Sequence, residues 1–100
     1  MIIDDGAKAE LRKAVDYYER RHPGLGEDFL SAYAHALERI ARDPESLPIL
    51  EQTPARLGIR RILLGRFPYL VIFDGRENSV RVLAIAHTAR RHSYWLKRRK

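Results

Sequence analysis

Apolar positions recur at helical spacing over the first part of the chain. In AKAELRKAVDYYERR, residues 7–21, Ala7, Leu11, Ala14, Val15 and Tyr18 fall on one face of a helix. Asp4 and Asp5 suit its start and the positive end of its dipole, while Arg20 and Arg21 suit its end. HPGLG then interrupts it, because proline cannot continue a helix and glycine tolerates the turn. A second helix is predicted at about 25–42, with Leu25, Phe29, Tyr33, Ala36, Leu37 and Ile40 facing inward and RDPE as its stop. The short link predicts an antiparallel helical hairpin over about 7–42.

The period then changes. Residues 43–58 contain three prolines and no repeat, and are expected to be a crossing loop. IRRILLG, YLVIFDG and SVRVLAIAH are strand-like runs rich in Val, Ile, Leu and aromatics, joined by the turn-like RFP and DGREN. Links this short predict an antiparallel meander over 59–87. MII at the start can add a short edge strand, and 88–100 form a basic C-terminal arm. The expected fold is α+β: one domain, 1–100, with the hairpin packed on one face of a small twisted antiparallel sheet.

Alternation assigns faces within the strands. Arg60 falls with Ile62 and Leu64, and Arg61 with Leu63 on the other side. In the last strand Arg81, Leu83, Ile85 and His87 are expected on one face, with Val80, Val82, Ala84 and Ala86 opposite. Helices on one side leave the second sheet face free to bind, and one of Arg60 and Arg61 must point into it.

Composition narrows the function classes. With no cysteine there are no disulfides, thiolate ligands or cysteine nucleophile. No window reaches the ~18 apolar residues of a membrane span, and no basic-then-apolar signal opens the chain, so a cytoplasmic protein without membrane contact is expected. Four scattered histidines form no metal signature, and no metal or cofactor is expected. The net charge of +6 is unevenly placed. Residues 1–54 hold 7 Lys/Arg against 11 Asp/Glu, whereas 87–100 hold 6 and none. Such asymmetry points to a polyanionic partner: nucleic acid, ribosome or an acidic protein segment.

The candidate residues follow from that charge. Arg60, Arg61, Arg66 and Arg81 can grip phosphates bidentately, or pair with acidic residues of the hairpin. His87, at a strand end, is either a hydrogen-bonded structural residue or a proton-transfer group. Arg90, Arg91, Tyr94 and Trp95 interleave charge with aromatics, as single-stranded nucleic-acid binding requires. Alternatively the aromatics fold back onto the sheet, and for Trp95 that clasp is the preferred reading. No glycine-rich phosphate loop, GxSxG or HExxH occurs.

ELRKAVDYYERRHPGLGEDFL, RFPYLVIF and AIAHTARRHSYW together resemble the RelE/ParE superfamily of toxins from bacterial type II toxin–antitoxin systems. The resemblance spans about 7–98. It departs from the pattern in lacking a proline before the Tyr-Trp pair, and in reducing the first strand to MII. It implies a helical hairpin on a twisted antiparallel sheet, and a cognate antitoxin whose C-terminal segment masks the basic surface. It also implies one of two targets. RelE-like members cut mRNA on the ribosome; ParE-like members inhibit DNA gyrase. Metal-independent RNA cleavage needs a base, an acid and cations. The catalytic candidates are then Arg61, His87, Arg90 and Tyr94, with Arg60, Arg66, Arg81, Arg91 and Trp95 as target-binding residues.

Overall fold

The computed structural model describes residues 1–76, 79–90 and 94–99. In chain order the elements are β1 (Ile2–Ile3), α1 (Asp5–Arg21), α2 (Leu25–Arg42), β2 (Ile59–Leu63), β3 (Tyr69–Arg76) and β4 (Ser79–His87). Single 3-10 turns lie at Pro44–Ser46, Ala55–Leu57 and Leu96–Arg98. The hairpin is as expected, except that α1 begins earlier. Asp4 sits at its cap and accepts a hydrogen bond from Gly6 N–H at 2.8 Å, which allows the helix to start at Asp5. The next cap comes from another element: the Glu19 carboxylate of α1 accepts the Gly24 and Gly26 N–H groups that open α2, at 3.1 and 3.0 Å. Gly26 has no side chain to spare there. A Cβ would lie 2.9 Å from that same carboxylate and 3.1 Å from the Val15 carbonyl.

Four strands form one sheet in the order β1-β4-β3-β2. The meander β2-β3-β4 is antiparallel, and β1 joins β4 in parallel, so the sheet is mixed. Four aromatics rivet the hairpin to it. Tyr18 and Phe29 lie at 5.5 Å between ring centres, and both meet Phe67 and Tyr69 at 4.9–6.1 Å. Ala7, Ala14, Ala36, Ile40, Val71, Phe73, Val82 and Ile85 complete this core.

Two expectations are corrected. The first concerns β4. Ile72 pairs with Ala84 but Phe73 pairs with Val82, so Leu83 is an extra residue and a bulge interrupts the alternation. Leu83, Ala84 and Ala86 lie in one cluster, Val82 and Ile85 in the other. Arg81 and His87, expected on one face, are therefore on opposite faces. The second concerns the far side of the sheet, which is not free. Leu50 and Trp95, with Leu57 and Tyr94 beside them, cover Ile59, Leu70, Ile72, Leu83, Ala84 and Ala86 as a second core. That face is apolar, so it buries a layer of its own rather than leave this surface in water.

Candidate target-binding surface

β1 is only two residues long, so most of β4 would present an open edge. Two side chains close it. Glu10 of α1 accepts the Ile85 N–H at 3.0 Å, and the Arg98 guanidinium donates to the Leu83 carbonyl at 3.0 Å. The two also bond each other at 3.1 Å, and Arg98 lies 3.8 Å from Asp4. Arg98 thus ties the C-terminal arm to the start of α1 and to the bulged strand. It lies so close over Gly6 that a Cβ there would be 2.5 Å from its Cζ.

Around this tie the C-terminal residues take fixed places. The Tyr94 ring has Arg90 Cζ at 4.0 Å from its centre and Arg98 Cζ at 5.2 Å, two cation–π contacts. Its buried hydroxyl lies against Glu10, outside hydrogen-bond geometry. Burial first, and then the Glu10 carboxylate, push the phenol well above its ordinary pKa. His87 ends β4 with its ring edge-on to Tyr69 at 5.2 Å. Its Nδ1 takes the Ala89 N–H at 3.0 Å. A backbone N–H only donates, so in the neutral ring Nε2 holds the proton. Glu10, Lys13, Ala14, Tyr17, Tyr69, Ile85, His87 and Arg90 line a cleft of about 250 Å³.

The candidates therefore divide. His87, Arg90 and Tyr94 gather at the end of β4 beside α1. Arg61 does not join them: it stands on β2, separated from β4 by β3, and shares the face of its partner Ile72, opposite His87. Arg81 is on that opposite face too, across from Asp74, whose carboxylate pairs with Arg99 at 3.3 Å. Arg60 donates to the Leu47 carbonyl at 2.6 Å and tucks the crossing loop against β2. Arg66 pairs with Asp28 of α2 at 2.6 Å on the surface. Trp95 is fully buried, so in this structure it anchors the arm and offers no surface to a partner. Arg91 lies outside the described residues.

Glu10, Lys13 and Arg98 were not anticipated. For Glu10 a signal exists: it stands three residues after Ala7 and four before Ala14, both buried, so the helix turns it inward. Among the described residues no helix is long and apolar enough to cross a membrane.

A family model described as the ParE toxin of the type II toxin–antitoxin system parDE matches residues 1–92. No curated protein matches the chain. The matched span holds the helical hairpin, the whole mixed sheet and the cleft where α1 meets the end of β4, and on that match the chain belongs to the ParE toxin family.

Proposed function

We propose that this toxin arrests growth by binding DNA gyrase, without cutting RNA, and that a cognate antitoxin neutralises it by covering the basic surface beside α1. One observation carries the choice of target: where His87, Arg90 and Tyr94 gather, neither His87 nor Tyr94 is set to accept a proton. RNA cleavage needs a side chain able to accept the 2′-hydroxyl proton. Neutral His87 already carries its proton on Nε2, because Nδ1 is taken by Ala89. Tyr94 is held protonated by burial and by Glu10. Arg61, the cation expected to steady the phosphate, is across the sheet. What remains beside α1 suits recognition by charge and aromatic contact, the chemistry of a binding inhibitor.

Two assays run in parallel test this. Purified protein is titrated into gyrase supercoiling of relaxed plasmid and into a translation extract. Supercoiling should fall while translation continues, and a molar equivalent of antitoxin should restore it. Cleaved mRNA with intact supercoiling would instead establish the ribonuclease reading. No effect in either assay would show that this copy is not a toxin of either kind.

A further inference from the structure

The flank of α1 that lines the cleft continues as a basic stripe. Lys13, Tyr17 and Arg20 follow Glu10 at intervals of three and four residues, and Arg21 is four after Tyr17. Lys13, Asp16, Tyr17, Arg20 and Arg21 line a second cleft of about 510 Å³ that shares Lys13 and Tyr17 with the first. The two adjoin at Lys13 and Tyr17, and together their linings run from the end of β4 to the end of α1.

Its charge is almost wholly positive. Glu10 is spent on Arg98 and on the Ile85 N–H, so Asp16 is the one carboxylate left along it among the described residues. Lys13, Arg20 and Arg90 form no ion pair among the described residues, unlike Lys8, Arg66, Arg98 and Arg99. The helix dipole accounts for Arg20 and Arg21 at the C-terminal end of α1, but not for Lys13 or Arg90.

Aromatic surface lies between these cations. Tyr17 is 50% exposed although its hydroxyl accepts from Arg21 at 3.0 Å and its ring carries that guanidinium at 5.1 Å. Tyr69 and His87 line the inner cleft. An acidic peptide would be satisfied by the cations alone. Cations flanking the exposed Tyr17 ring, with the half-buried Tyr69 and His87 rings deeper in the cleft, match a strand of phosphates whose bases are free to stack.

We propose that the groove between α1 and the end of β4 binds single-stranded DNA, with Lys13, Arg20, Arg21 and Arg90 on the phosphates and Tyr17 against a base. The choice of DNA over RNA rests on the gyrase reading, since a toxin docked on gyrase is held beside DNA. The groove itself does not depend on that reading.

The test uses the full chain and a fluorescein-labelled oligo-dT, read by anisotropy over a series of salt concentrations. Binding should weaken linearly in log–log form, with a slope of about −0.7 for each phosphate met. Lys13→Gln and Arg90→Gln should each flatten that slope by about one contact, whereas Tyr17→Ala should leave the slope and weaken binding about five-fold or more. Arg42→Gln and Arg56→Gln, exposed cations elsewhere, should change neither quantity. All five are surface replacements, and circular dichroism verifies that each folds. Equal losses in all four cation variants would overturn the groove, as would displacement of oligo-dT by polyglutamate at equal charge concentration. Tighter binding of oligo-rU would overturn the choice of DNA. Oligo-dT binding without inhibition of supercoiling would sink the gyrase reading and leave the groove standing. Inhibition without oligo-dT binding would do the reverse.

Discussion

Arg98 joins four parts of the chain: Asp4 before α1, Glu10 within it, the Leu83 carbonyl of β4 and the Tyr94 ring. Gly6 is what makes room for it. This produces a sign reversal that a double-mutant cycle can read. Alanine for glycine near a helix start ordinarily gains about 0.5–1 kcal/mol. Here the new Cβ would displace a guanidinium whose charge-assisted bonds are worth about 1.5–3 kcal/mol. Gly6→Ala should therefore destabilise the wild type by about 1–2 kcal/mol, but stabilise an Arg98→Ala background. Urea denaturation of the four proteins measures both effects. Additive changes would mean that Arg98 does not lie over Gly6. The same residues show why sequence reading missed this tie. Helical spacing turns Glu10 inward, but its partner Arg98 is 88 residues away, and no local pattern connects two such positions.

At the scale of elements, the hairpin and the meander were legible because each carries its own period. α2 spans Leu25–Arg42, as its apolar spacing predicts. Of the layer behind the sheet only Trp95 was legible, as an aromatic that folds back onto the sheet; Leu50 was not, because it comes from a crossing loop without a period. Nor was the bulge, since an extra residue at Leu83 leaves the apolar run VLAIA unbroken in composition while moving its side chains between faces. Trp95 is the largest side chain of this second layer and is fully buried. Trp95→Ala should cost about 3–5 kcal/mol, the usual penalty for emptying such a site. Trp95→Phe should recover most of it, because a ring would still fill the seat. If Trp95→Ala unfolded at the same urea concentration as the wild type, the arm would not be part of the folded core.

Across the whole molecule, both faces of the sheet carry phenols that resist ionisation. Tyr18, Tyr33 and Tyr69 pack in the helix-covered core, and Tyr94 lies in the second layer. Burial raises the pKa of each, and at Tyr94 the Glu10 carboxylate adds to it. In the unfolded chain these groups titrate near 10. Between that value and their higher folded values, the native state keeps protons that the unfolded state has lost. Stability is therefore fully present below pH ~10 and drains away as the pH rises through the folded values. Net charge would suggest a gentler course, because the isoelectric point is about 10.1 and self-repulsion vanishes there. The two effects separate in a comparison of wild type with Tyr94→Phe. Near pH 8 their urea midpoints should nearly coincide, since the variant loses only a hydroxyl with no hydrogen-bond partner among the described residues. At pH 11 the variant should be the more stable by roughly 1 kcal/mol, because only the wild type still has to unfold into an ionised Tyr94. Parallel midpoints at every pH would mean that Tyr94 is not buried against Glu10, and the closed edge of β4 would fall with it.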